Sequence, residues 1–254
     1  MHISLPLRKL VIELRYKPEL GFYGKMDVVA SSFADKFPDW ERSPLTVEVR
    51  SKSKHRRVFL SHHRCFYEAD LESAAADTEF SFAEKVLLDV CSELAVRDVK
   101  RVGMRQWFAC DLEKAFALMV DETIARFFSP SQELLGILND KAHDVAYVVD
   151  YETAEGWKYH LRLGPMTKEQ WFQTVRYERG LFGDVDRSGI ADQDASDASA
   201  TFEDYRKTIP ENFLFIDIDC YEEGLPMDRF SRKFDDFRRR SRDLVTNLIR
   251  YCQK

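Results

Sequence analysis

Hydrophobic and polar positions follow two different periods along this chain, and together they predict both strands and helices. Between Lys9 and Tyr16 every second residue is apolar, which is typical of a strand with one buried face. Elsewhere apolar residues recur every three or four positions, which predicts helices with one apolar stripe. The last of these helices has a narrow stripe, suited to packing on a sheet, another helix or a second chain. Its apolar seam consists of Phe230, Phe234, Phe237, Leu244, Leu248 and Tyr251, with Ser241 in one slot.

Two local motifs predict where helices begin. Ser81 is followed three positions later by Glu84, and Thr167 is followed in the same way by Gln170. This is the spacing of a capping box, in which two side chains satisfy each other's free backbone N–H groups in the first turn. We therefore expect one helix to start near Ser81 and another near Thr167.

Predicted strands and helices recur in the same order in the two halves of the chain. The order strand, strand, helix, strand, helix runs from about residue 45 to 128 and again from 145 to 252. We predict an α+β fold with two similar lobes, each a β-β-α-β-α unit of antiparallel sheet covered by helices on one face, and a long C-terminal helix. The lobes span residues 1–140 and 141–254, with an acidic loop at about 183–201. One continuous domain with a shared sheet is the alternative.

Composition narrows the class of protein. The chain has 254 residues, of which 44% are hydrophobic and 32% charged, and its net charge is −6. These values are ordinary for a globular protein and exclude fibrous or largely disordered chains. There is no signal-peptide pattern and no apolar run near the ~18 residues of a membrane span. Five scattered cysteines indicate reduced thiols rather than a disulfide framework. We expect a cytoplasmic protein without membrane contact.

Two carboxylates near the C-terminal end form the first candidate site. Asp217 and Asp219 are two positions apart on a predicted strand, so both point to the same face. Paired carboxylates hold Mg²⁺ or Mn²⁺ in phosphoryl-transfer enzymes, although such sites use a further acidic ligand. A metal site is therefore one hypothesis, and a polar sheet face or an ion pair is the other.

Two arginines occupy the matching strand of the first half. Arg101 and Arg105 share one face of that strand with Gly103. If the two halves are equivalent, these arginines pair with Asp217 and Asp219 and have a structural role. The alternative is a cleft in which the arginines clamp an anion, because a guanidinium group binds carboxylate or phosphate through two hydrogen bonds.

Further arginines are candidates for binding nucleic acid or a partner. Arg56 and Arg57 lie in a basic segment of a predicted hairpin, where they could contact phosphate groups. The final helix carries Arg238, Arg239 and Arg242. Acidic residues at helical spacing compensate part of this charge, so a solvated helix face is the alternative.

Other motifs in the chain are incomplete. The segment from Asp184 begins like a calcium-binding loop, but Ala195 stands where a bidentate Glu is needed. His63 and Cys65 share a strand face, but no third group orients them as base and nucleophile. The sequence contains no Gly-rich phosphate loop, dinucleotide motif, nucleophile elbow or His-Glu-x-x-His motif. We assign no catalytic residue and expect no cofactor.

Three predicted strands have distinctive sequences, namely Leu10–Tyr16, Arg101–Phe108 and Phe213–Tyr221. With the long C-terminal helix, they resemble a sporadically distributed bacterial family of unknown function, in which the second strand reads Arg-x-Gly-Leu-Arg-Tyr-x-Asn. This chain has Gln106 and Phe108 where that family has Tyr and Asn. The resemblance implies no particular activity. The patchy distribution of the family implies mobile or defence-linked genes, in which two-gene modules are frequent.

Three functional hypotheses follow from the sequence. The first is a non-enzymatic bacterial interaction protein that binds a partner protein encoded nearby, in a defence or toxin–antitoxin module. The C-terminal helix is also a candidate surface for a homodimer. The second hypothesis is a nucleic-acid-associated component that uses the basic patches. The third is a metal-dependent phosphoesterase at Asp217 and Asp219.

Overall fold

The computed structural model describes residues 6–19, 21–71, 76–128, 142–181 and 205–253. The described strands form one sheet in which all neighbouring strands are antiparallel. They are β1 (Leu7–Tyr16), β2 (Asp39–Arg42), β3 (Thr46–Ser51), β4 (Arg56–Ser61), β5 (Arg64–Asp70), β6 (Asp98–Cys110), β7 (Tyr147–Glu152), β8 (Lys158–Thr167) and β9 (Asn212–Pro226). The helices are α1 (Phe22–Ser32), α2 (Ala76–Glu93), α3 (Phe116–Phe127), α4 (Lys168–Leu181) and α5 (Phe230–Gln253).

The sheet is continuous from the first half of the chain to the second. Its strand order is β2-β3-β4-β5-β1-β6-β9-β8-β7. β6 pairs with β9 along almost its whole length, from the pair Asp98–Pro226 to the pair Cys110–Leu214. The shared sheet is the arrangement that the sequence left open as an alternative. The boundary proposed between residues 140 and 141 lies outside the described residues and stays a prediction.

The predicted repeat of two β-β-α-β-α units is not confirmed. In the first half β1 lies between β5 and β6, whereas in the second half β8 and β9 are direct neighbours. The two halves therefore have different strand orders, although both consist of antiparallel strands and helices. The alternation of apolar residues cannot reveal this difference, because it reports which face a side chain occupies and not which strand lies beside it.

Most helices pack on one face of the sheet, which we call the helical face. Alternate residues of β1, such as Leu10, Ile12 and Leu14, are buried there in a large hydrophobic core. α1, α2 and α5 supply the other side of that core. The expectation that helices cover only one face is wrong, because α4 packs on the opposite face against β6, β8 and β9. Its Trp171 contacts Trp107 at 5.5 Å between ring centroids.

The C-terminal helix α5 is buried along a stripe that differs from the predicted seam. The stripe recurs about every 3.7 residues, close to the 3.6 of a straight helix, whereas the predicted seam had the 3.5-residue period of a coiled coil. Leu244 and Leu248 are therefore only partly buried, and Tyr251 is 46% exposed. The homodimer through this helix stays a prediction. The buried residues are Phe230, Phe234, Phe237, Ser241, Val245, Ile249 and Cys252.

One of the two predicted capping boxes is present. The Thr167 amide donates to Gln170 Oε1 at 2.8 Å, and the Gln170 amide donates to Thr167 Oγ1 at 3.2 Å, at the start of α4. The prediction for Ser81 is wrong, because α2 begins at Ala76 and the Ser81 hydroxyl donates back to the Asp77 carbonyl. None of the helices within the described residues is long and apolar enough to cross a bilayer.

Candidate binding surface on the open sheet face

Part of the sheet face opposite the helical face carries rows of arginines and carboxylates, and we call it the open face. It arises from the two-residue period of the strands, since the residues that alternate with the buried core point away from it. The registers of β5, β1, β6 and β9 place these residues side by side. The open face consists of Lys9, Val11, Glu13 and Arg15 on β1, Arg57 on β4, Arg64, Phe66 and Glu68 on β5, Arg101, Gly103 and Arg105 on β6, and Asp217, Asp219 and Tyr221 on β9.

Arg105 and Asp217 form the best-defined ion pair of this surface. Arg105 Nε donates to Asp217 Oδ1 at 3.0 Å, and Nη2 donates to Oδ2 at 2.8 Å. The Asp217 side chain is only 3% exposed, and this two-point contact with Arg105 compensates the cost of removing the pair from water. The guanidinium group also lies 5.1 Å from the centre of the Trp107 ring. The pairing that the sequence suggested between these two strands is present.

Arg101 and Asp219 form a looser pair than Arg105 and Asp217. The closest approach is 3.6 Å, between Arg101 Nη2 and Asp219 Oδ2, which is beyond a good hydrogen bond. Arg101 instead stacks over Tyr221, 4.0 Å from the ring centre. Its Nε is buried and has no hydrogen-bond partner among the described residues. Burial raises the pKa of the Asp219 carboxyl above its ordinary value, although Arg101 and Arg105 oppose that rise.

Glu68 forms ion pairs with two basic side chains on the neighbouring strands. Arg57 donates to its Oε2 from Nη2 at 2.6 Å, and Lys9 Nζ lies 2.8 Å from its Oε1. Burial by itself would raise the pKa of Glu68, but the charges of Lys9 and Arg57 outweigh burial and lower it below the ordinary value. Glu68 is therefore a charged carboxylate at neutral pH.

Glu13 is shared between two more exposed arginines. Arg15 approaches it at 3.0 Å from both Nε and Nη2, and Arg64 Nη1 lies 3.8 Å away. One carboxylate thus serves two guanidinium groups, so the positive charge here is only partly compensated.

A hollow of about 260 Å³ lies among these groups, above Gly103. Its walls contain more basic than acidic side chains, so its field favours an anion. The basic groups are Lys9, Arg15, Arg57, Arg64, Arg101 and Arg105, and the acidic groups are Glu13, Glu68 and Asp219.

The structure separates Arg56 from Arg57. Because neighbouring residues of a strand point to opposite faces, Arg57 lies on the open face whereas Arg56 lies on the helical face. There Arg56 Nε donates to the buried Glu79 at 2.9 Å and stacks over Phe82 at 4.5 Å. Arg56 thus joins β4 to α2 beneath the helices, and it lies apart from the open face.

The arginines of α5 lie on the helical layer and do not join the open face. Arg238 and Arg242 both donate to Asp77 of α2, at 2.7 and 2.8 Å. Arg239 is 69% exposed and pairs with Asp236 three positions before it, not with the residues four positions away that the sequence suggested. The charge of this helix is therefore compensated locally, as expected for a solvated face.

The metal hypothesis finds little support in the geometry around Asp217 and Asp219. Both oxygens of Asp217 accept hydrogen bonds from Arg105, so a cation already occupies the position a metal ion would take. Within the ranges that the structure describes, no group of three His, Cys, Asp or Glu residues has a geometry able to hold a metal ion. The calcium-like segment from Asp184 to Ala195 lies outside those ranges.

Sequence reasoning missed several residues of this surface. Glu13 and Arg15 could have been found, since they occupy the polar positions of the alternating β1 pattern. Glu68 could not have been found, because β5 is buried on both faces and shows no alternation. Arg64 was not missed, since it belongs to the same basic segment as Arg56 and Arg57, which the sequence made a candidate for contacts with phosphate.

No protein-family model matches this chain, and a search of the curated proteins also found no match. The resemblance at β1, β6 and β9 therefore stays a prediction.

Proposed function

We propose that this chain is a non-catalytic interaction protein that binds a partner protein through its open face. The observation that carries the proposal is the hollow above Gly103, where arginines outnumber carboxylates on a sheet surface. A partner that presents carboxylates to the hollow would complement this charge. Complementary charges across an interface favour encounter and fix the relative position of two proteins.

The mixture of charges favours a protein over nucleic acid. Glu13, Glu68 and Asp219 stand among the arginines, so a uniformly negative polymer would meet repulsion at fixed positions. A folded protein can present acidic and basic groups in a matching pattern, whereas a phosphate backbone cannot. Nucleic acid therefore remains the weaker alternative, and a metal-dependent phosphoesterase is weaker still because Asp217 is engaged by Arg105.

The cellular setting is proposed from the resemblance to the bacterial family. A defence or toxin–antitoxin module would supply a partner from a neighbouring gene, and the chain would neutralise or regulate that partner. The charged sheet face is suited to such a role, since paired proteins of this kind need recognition without a chemical step.

The test uses affinity capture from cells that express the chain with its neighbouring genes. We compare the wild type, Arg15→Glu on the open face and the matched control Arg239→Glu on the helical layer. Arg15 and Arg239 are both substantially exposed, so both variants are expected to fold. Any captured protein is then purified and titrated against the chain by calorimetry at two salt concentrations.

The proposal expects a stoichiometric protein that wild type and Arg239→Glu retain and Arg15→Glu loses, with affinity that weakens as salt rises. Retention that is equal in all three chains would show that the open face is not the interface. A nuclease-sensitive companion in place of a protein would favour the nucleic-acid alternative.

A further inference from the structure

Gly103 occupies the centre of the open face although the backbone does not require glycine there. Its φ is not positive, so any residue could adopt its conformation. In register, Gly103 lies opposite Glu13 of β1 and Tyr221 of β9. Glycine inside a strand weakens it, and it often marks a site that a ligand or another backbone approaches closely.

Crowding does not explain the glycine either. A Cβ atom built on Gly103 would lie 3.6 Å from the Tyr221 Cβ and 3.9 Å from both Arg101 Nε and Asp219 Oδ1. These are ordinary van der Waals distances, so alanine would fit without displacing its neighbours. What the missing side chain provides is the open space of the hollow itself.

The groups around this space are suited to one oxyanion. Arg101 is held by stacking on Tyr221 and contacts Asp219 only at 3.6 Å, while its buried Nε has no partner among the described residues. The Arg101 side chain is 22% exposed, so an acceptor in the hollow can reach the guanidinium group, and a small rotation of that group would also give the buried Nε the acceptor that it lacks. A carboxylate matches the planar edge of a guanidinium group and accepts two parallel hydrogen bonds from it.

We propose that the space above Gly103 is an anion pocket in which Arg101 binds a single carboxylate of the partner protein. The inference rests on the proposed function only in assigning that carboxylate to a partner. The volume of about 260 Å³ accommodates one acidic side chain with its neighbouring atoms, not an extended polymer. Glu13 and Asp219, which line the same space beside Gly103, would repel a second negative group once Arg101 has bound the first, and so limit the pocket to one anion.

The binding test needs no partner, because glutarate serves as the probe. The Nε–H group of Arg101 is followed by nitrogen–proton NMR correlation, with its signal assigned by its loss in Arg101→Lys. Glutarate is expected to shift this signal saturably, in contrast to sodium chloride at equal ionic strength. Gly103→Leu, which fills the pocket, is expected to weaken glutarate binding by at least about tenfold, or about 1.4 kcal/mol.

Matched variants keep the result interpretable. Gly103→Ala reports on folding, since it adds only one methyl group and is expected to melt at the same temperature as the wild type or higher. An unchanged glutarate response in a folded Gly103→Leu chain would overturn the pocket. A stronger and saturable response to inorganic phosphate than to glutarate would overturn the choice of a carboxylate.

The two proposals fail in different ways. If Gly103→Leu loses glutarate but still retains the captured partner at full affinity, the partner does not use this pocket and its proposed ligand is wrong, while binding of a partner protein through the open face stands as long as Arg15→Glu loses that partner. If glutarate binds as expected but no partner protein is found, the anion pocket stands and the proposed function fails.

Discussion

Arg105 on β6 and Asp217 on β9 hold each other by two hydrogen bonds, although they are 112 positions apart in the chain. The pair spans the junction between the first and second halves of the sheet. Asp217 is nearly inaccessible to water, whereas Arg105 is about one-third exposed. The contact therefore fastens the two halves and at the same time holds one wall of the open face in place.

Removing Arg105 should destabilise the fold more than removing an exposed arginine. Arg105→Gln leaves the buried Asp217 without its counter-charge, and we expect the free energy of unfolding to fall by about 1–3 kcal/mol. The partial exposure of Arg105 keeps the loss below that of a fully buried pair. The matched variant Arg239→Gln should change the free energy of unfolding by no more than about 0.5 kcal/mol. Equal losses in chemical denaturation would contradict the structural role of the pair.

Arg56 should behave as a structural residue and not as a binding residue. It contacts Glu79, which also accepts a hydrogen bond from the Tyr67 hydroxyl beneath α2. Arg56→Gln leaves the Glu79 carboxylate, which is only 3% exposed, without its partner cation. We therefore expect the free energy of unfolding to fall by about 2–4 kcal/mol. Tyr67→Phe should cost about 1 kcal/mol. Glutarate binding by folded Arg56→Gln should equal that of the wild type, and a selective loss of binding would refute this assignment.

The sequence predicted those parts of the fold in which one face of an element is buried and the other is not. The alternation at Leu10, Ile12 and Leu14 identified β1 correctly. β5 escaped detection because Tyr67 lies in the core while Phe66 and Glu68 are also buried on the other face. Two-sided burial removes the alternation on which the prediction depends.

The sequence predicted an ion pair of the candidate site, but not the full set of residues that form this surface. The two-residue spacing in β6 and β9 led to the pairing of Arg105 with Asp217, although the repeat that suggested it is not confirmed. Nothing local in the sequence places Glu13 and Arg64 beside these residues. Their proximity depends on β1 lying between β5 and β6, which is a non-local property of the strand order.

The five cysteines should resist modification in the folded protein. All are buried, and burial raises the pKa of both Cys110 and Cys220 to about 12. At neutral pH the thiolate fraction is then roughly three orders of magnitude below that of an ordinary thiol. A thiol-reactive aromatic disulfide should therefore modify the native chain only as fast as it unfolds, and modify all five thiols promptly in denaturant. Rapid modification of Cys65 in the native chain would revive it as a candidate nucleophile.

Glu68 should make the protein less stable in acid. Its pKa is lowered from the ordinary value of 4.5, so the folded state favours the charged form. The stabilisation is present above pH 4.5 and is lost as the pH falls through the lowered folded value. The difference in unfolding free energy between wild type and Glu68→Gln should therefore be largest near neutral pH and shrink below about pH 4.5. A difference that is constant with pH would contradict the ion pairs with Lys9 and Arg57.

Asp219 should have the opposite dependence on pH. Its pKa is raised from the ordinary value of 3.8, chiefly by burial, so the folded state favours the protonated form. The stability that this group contributes is present below pH 3.8 and is lost as the pH rises through the raised folded value. Asp219→Asn, which is neutral at every pH, should therefore gain stability relative to wild type as the pH rises from acid to neutral. Denaturation curves across this range, with the exposed Asp35→Asn as control, measure the gain. If Asp219→Asn instead lost stability relative to wild type on going to neutral pH, Arg101 would hold Asp219 as a strong ion pair, and its guanidinium group would not be available for a partner's carboxylate.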